Sequence, residues 1–287
     1  MLEHVVNGLV LGGTYALVAM GLTIQYGIAR IMNLSFGDTI IAACFATYVL
    51  FSVFAINPIL ALLIVGPTGY VFNLLIYRFI MKPLVARAPD EGALEVDSIL
   101  VTFGLLFVIQ GVLLVMFGGG YTSYSFLNSP VSMLGTVVAG NRLVALVLSL
   151  TFGAVLVGVL YRTRWGMILR AVATAPQSAP LFGIDTNRAA RTAFAVGGAL
   201  AATGGGVVSM FQTFTATAGV VFTMKALIVV ILGGKGSVPG AIVAGLLLGL
   251  VETFVAAYID PGLTLAAVYT VFLVLLLVRP NGLFGKA

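Results

Sequence analysis

The chain has 287 residues, of which 61% are hydrophobic and only 8% charged, with a net charge of +5. Soluble domains carry roughly 25% charged residues, so this chain cannot cover a water-facing surface and its solvent must be largely lipid. The apolar stretches are continuous runs without strand alternation, which excludes a membrane barrel and leaves an all-α, polytopic membrane helical bundle.

Apolar segments follow one another at 5–28, 37–56, 59–80, 99–118, 143–161, 192–212, 222–258 and 263–278. Each suffices for a hydrocarbon core about 30 Å thick at about 1.5 Å of rise per residue. The first follows Glu3 and His4 instead of a basic region and runs beyond a short apolar core, so no cleavable signal peptide is read there. Cys44, the single cysteine, lies in the second segment and reads as a small buried hydrophobe. Between the third and fourth segments, Pro89 to Asp97 is acidic and reads as a solvated connector with at most a helical turn. The seventh segment is too long for one span and is broken at Gly233-Gly234-Lys235-Gly236-Ser237. It reads as a short or re-entrant helix, a glycine loop, and a full helix from about Gly240. The expectation is eight or nine membrane elements in a single transmembrane domain, residues 1–287.

Lysine and arginine set the orientation. Arg78, Lys82 and Arg87 follow the third segment, and Arg162, Arg164, Arg170, Arg188 and Arg191 fill or flank the long loop after the fifth. Arg279 and Lys286 close the chain. The positive-inside rule puts all three clusters in the cytoplasm, and the number of intervening spans agrees. Gly118 to Asn141, free of charge, and the N-terminus then lie outside, with the C-terminus cytoplasmic. The net positive charge thus belongs to loops at the membrane, not to nucleic acid.

Glycine occurs 35 times. Most of it reads as tight helix packing, but the Gly204-Gly205-Gly206 triplet and the Gly233, Gly234, Gly236 loop are dense enough to suggest hinges or broken helices near a pathway. Catalysis has no support: there is no phosphate-binding G-x-x-x-x-G-K motif, no H-E-x-x-H, and no Cys/His cluster for a metal. Asp38 and Glu252 are ionisable residues in apolar surroundings, and such residues are candidates for function. Asp38 also suits the cap of a helix starting near Gly37, and Glu252 suits a pair with Lys225 or Lys235. Asn7, Asn33, Thr102 and Gln110 either line a pathway or bond between helices.

The spacing of several short motifs resembles LivH-type permeases, the membrane subunits of ABC importers for branched-chain amino acids and related solutes. The resemblance rests on Asn7-Gly8-Leu9, Gly12, Tyr15-Ala16-Leu17, Gly21-Leu22-Thr23, Tyr26-Gly27 and Asn33…Gly37. It continues in Arg170-Ala171…Ala179…Leu181…Gly183-Ile184 with Arg188, then Lys225-Ala226, Leu232-Gly233-Gly234…Gly236-Ser237, Gly249 and Glu252, and ends on Arg279-Pro280…Gly282-Leu283-Phe284-Gly285. Phe36 stands where the family often has histidine. The resemblance implies a pathway made with a second, homologous permease chain, two cytoplasmic ATPases that carry ATP and Mg, and an external solute-binding protein. No cofactor is then bound by this chain itself, which would sit in a bacterial inner membrane. It further implies that the segment with Arg170, Ala171, Ala179, Leu181, Phe182, Gly183, Ile184 and Arg188 couples to the ATPase. Pro176 and Pro180 are unusual there, and Pro180 should bend or shorten any helix. Branched-chain or other small amino acids are the default solute, with urea or short amides as the alternative. A self-sufficient ion-coupled transporter is the rival class, and Asp38 and Glu252 are its only evident ion-site candidates.

Overall fold

The computed structural model describes residues 1–133, 136–280 and 282–284; Gly285 and Lys286 of the terminal motif lie outside them. Among the described residues, seven helices are long and apolar enough to cross a membrane, and two shorter apolar helices accompany them. In chain order these begin with α1 (Leu2–Ala29), the short α2 (Phe36–Ser52) and α3 (Pro58–Ile76), the last extended through a π-helical turn into α4 (Lys82–Arg87). The π turn, Tyr77–Met81, ends two residues before Pro83, which has no N–H to return to the carbonyl four residues back. Next come α5 (Glu91–Phe117), a hairpin of β1 (Pro130–Met133) and β2 (Thr136–Ala139), α6 (Gly140–Arg162) and the amphipathic α7 (Arg164–Thr174). The bundle closes with α8 (Thr186–Ser209), the short α9 (Gly219–Gly233), α10 (Val238–Tyr258) and α11 (Thr264–Val278).

Two boundaries differ from the expectation for good physical reasons. The acidic connector is not a loop throughout, because α5 already starts at Glu91, with the Asp90 carboxylate accepting from the Ala93 N–H at 2.7 Å. Carboxylates at that end face the positive pole of the helix. The uncharged segment after α5 carries the β1–β2 hairpin and an isolated bridge between Thr122 and Phe214, which ties it to the chain leaving α8. The Tyr124 hydroxyl pairs with Ser209 Oγ at 2.9 Å in the same region, and burial pushes that phenol up to about 12.

The centre of the bundle is α1, antiparallel to both α10 and α8. Along the α1–α10 seam Gly8 and Gly12 meet Gly245, Leu246, Gly249 and Leu250 backbone to backbone, and a Cβ on Gly249 would overlap the Gly12 main chain. Lipid gives no hydrophobic drive for helices to associate, so contact this close is where packing energy comes from. At the Gly204-Gly205-Gly206 triplet the broken-helix reading is corrected: α8 runs through it unbroken, with all three glycines buried. Successive helical residues step by about 100°, and the three face three different neighbours: Val18 of α1, the Ile40 carbonyl of α2 and Leu62 of α3. Dense glycine here serves a three-sided contact. The Gly233–Ser237 region is a true break, with Gly234 at φ 96° and Gly236 at φ 79°, a backbone that side chains disfavour.

Candidate transport and coupling sites

The chain between α1 and α2 is irregular yet buried, so its polar groups need partners inside the protein. Arg30 takes a left-handed conformation at φ 55°, and residues 31–35 then turn back into the bundle. Hydroxyls from other helices satisfy them. Ser98 Oγ accepts from the Met32 N–H at 3.1 Å and Thr102 Oγ1 from the Leu34 N–H at 3.0 Å, both from α5. From α9, Thr223 Oγ1 accepts from the Gly37 N–H at 2.8 Å and donates to the Leu34 carbonyl at 3.0 Å. The Asn33 amide oxygen accepts from Ser35, and its Nδ2 donates to Gln25, whose own Nε2 donates to the Phe194 carbonyl of α8 at 2.9 Å. Asn33 and Thr102, both named as pathway candidates, therefore act here as bonds between elements.

Asp38 stands in the first turn of α2 and does not cap it: Ser35 holds the N-cap position. Its carboxylate lies against Gly219, the first residue of α9, so the N-terminal ends of two short helices meet at this side chain. It is fully buried, and neither of its oxygens accepts a hydrogen bond among the described residues. Cys44, one turn and a half further along α2, is buried too and gives its S–H to the Gly205 carbonyl at 3.1 Å.

Glu252 belongs to a second cluster. Lys225 of α9 pairs with its carboxylate at 2.7 Å, and the Tyr15 hydroxyl of α1 donates to Glu252 Oε2 at 2.8 Å while accepting from Lys225 at 2.6 Å. The lysine and glutamate side chains keep 12% and 16% of their surface open, so the pair is not sealed in the core. Near the other end of α1, the Asn7 amide oxygen accepts from Arg142 of α6 at 2.7 Å. Gln110 is half-buried in α5 and joins neither cluster among the described hydrogen bonds. Gln25, Ser98 and Thr223 were not read from sequence as site residues. Their signal was a hydroxyl or amide inside an otherwise apolar run.

The long basic loop forms a separate surface. Helix α7 carries Arg170, whose guanidinium lies 4.7 Å over the Tyr161 ring, and Ala171. It stops at Thr174, two residues before Pro176; Pro180 then sits at the start of a 3₁₀ turn, Ala179–Phe182, where a missing N–H costs nothing. Gly183 ends the turn at φ 73°, and Ile184 leads to Asp185, which caps α8 and pairs with Arg188 at 3.0 Å. Leu181 and Phe182 are 85% and 81% exposed at the tip of this loop.

The model of a family described as "branched-chain amino acid transport system / permease component" matches residues 4–279. The chain is 26% identical to the high-affinity branched-chain amino acid transport system permease protein LivH of Escherichia coli (strain K12), over 99% of this chain and 96% of that protein. It is equally 26% identical to BraD of Pseudomonas aeruginosa, over the same shares, and 27% identical to a probable LivH of Methanocaldococcus jannaschii, over 85% of this chain and 77% of that one. No solved structure matches it.

Proposed function

The chain belongs to the branched-chain amino acid permease family, and on that premise we propose that it forms half of the membrane pathway of an ATP-driven importer for branched-chain or other small amino acids. A second, homologous permease chain supplies the other half. Two cytoplasmic ATPases bind and hydrolyse ATP with Mg, and an external binding protein delivers the solute, so this chain holds no cofactor of its own. The basic clusters at Arg78–Arg87, Arg162–Arg191 and Arg279 favour a cytoplasmic C-terminus and an external N-terminus, in a bacterial inner membrane.

One observation carries the coupling part of this reading: a 3₁₀ turn between α7 and α8 presents Leu181 and Phe182 almost bare on the basic side of the molecule. Two large apolar side chains so exposed outside the spans mark an interaction site. They would seat in a groove of the ATPase, with Arg170 and Arg188 flanking. The test is Leu181→Ser with Phe182→Ser in the assembled importer. The expected result is hydrolysis that no longer responds to loaded binding protein and uptake reduced at least about tenfold, the scale of losing an apolar anchor pair. Charge reversal by Arg170→Glu should act in the same direction. Normal uptake with normal stimulated hydrolysis in both variants would overturn the docking role.

A further inference from the structure

Two tyrosines of α1 each stand between a lysine and a glutamate drawn from other parts of the chain. At Tyr15, the hydroxyl bridges Lys225 and Glu252 at 2.6 and 2.8 Å, and the ammonium lies 4.8 Å over the ring. At Tyr26, the hydroxyl donates to Glu95 of α5 at 2.8 Å, and Lys235, from the glycine break between α9 and α10, lies 5.6 Å over the ring. The eleven residues from Tyr15 to Tyr26 return the helix to within about 20° of the same face, about 16 Å along its axis. Leu22 lies on that face between them. A cavity of about 280 Å³ opens at the Tyr26 set, lined by Leu22, Tyr26, Leu227, Val230, Ile231 and Lys235 among others.

We propose that these two Lys–Tyr–Glu sets are successive transit stations for a zwitterion, with the carboxylate of the solute received by the lysine and its ammonium by the glutamate. The proposal rests on the amino acid reading above. Removing either end of a zwitterion from water without a partner costs several kcal/mol. At Tyr15 the lysine–glutamate pair that opens to admit the solute exchanges ion for ion, so every charge stays matched. At Tyr26, Lys235 and Glu95 each meet the tyrosine, with no ion pair joining them among the described residues, and stand parted for the two ends of the solute. Tyrosine suits the switch because its hydroxyl donates and accepts, and can hold whichever partner is briefly uncovered. The apolar wall of the cavity at the Tyr26 station suits an aliphatic side chain. A merely structural ion pair explains neither the second set on the same helix face nor the space beside it.

The experiment uses the assembled importer in proteoliposomes with labelled leucine, comparing wild type with Lys225→Met/Glu252→Gln. This double change removes both charges together and strands neither. The expected result is complex recovered at wild-type yield with leucine uptake lowered about tenfold, as when a charge-assisted contact is lost. Uptake per assembled complex within about twofold of wild type would make the pair structural and overturn the stations. Should the double variant fail to assemble, Glu252→Asp keeps the charge but shortens its reach: a drop of about fivefold supports the station, and unchanged uptake overturns it. A wild-type complex that moves no leucine would sink the amino acid reading and the stations with it; wild-type transport with an equally active double variant sinks the stations alone.

Discussion

Helix α8 and the last span are built on opposite principles. Of the α8 span 83% is buried, yet its mean hydropathy is only 1.3; the span Pro261–Val278 is 6% buried and reaches 2.3. In water the greasier helix would be the inner one. Here the solvent is hydrocarbon, so large aliphatic side chains belong outside, where Leu273, Val274 and Leu277 are exposed. The buried part of α8 is mostly glycine and alanine, small residues that let backbones touch. Between these two helices hydropathy ranks burial backwards.

Four substitutions probe that contrast, in decreasing order of expected effect, each read by thermal unfolding of the purified protein in lipid or detergent. Lys225→Met removes one half of an interior ion pair and leaves Glu252 uncompensated, a loss of about 3–5 kcal/mol. Gly249→Leu forces α10 away from the Gly12 backbone; overpacking at such a seam costs about 3 kcal/mol. Thr223→Val strips the Gly37 N–H and the Leu34 carbonyl of their partner, at about 2 kcal/mol. Gly104→Leu, on the exposed side of α5 with nothing within 4 Å of its would-be Cβ, changes stability by less than about 1 kcal/mol and in the favourable direction. If Gly104→Leu destabilised as much as Gly249→Leu, the inside-small, outside-large account would be wrong.

Much of this was legible in the residues. The glycine break at 233–237, the long spans and the basic loop all follow from composition and local pattern. The α1–α2 junction was not, because the groups that satisfy it come from α5 and α9, some 65 to 190 residues away in the chain. Asp38 was misread for the same reason. Its position suits a cap when only the local sequence is considered, and only the fold sets Gly219 against it. The glycine triplet does not break its helix; three neighbours on three sides leave the same trace in a sequence as a helix break. Glu252 had two lysines as possible partners, and which one it meets depends on the packing of α9 against α10.

The α1–α10 seam has a mechanical consequence. Main chain approaches main chain from Gly8 and Gly249 near one end of α1 to Gly27 and Gly236 at the other, so at these points little side chain lies between the two elements to absorb a displacement. They must travel as one strut. A push received at the glycine break beside Gly236 has this seam to travel along toward the far end, where His4 rests edge-on against Tyr258.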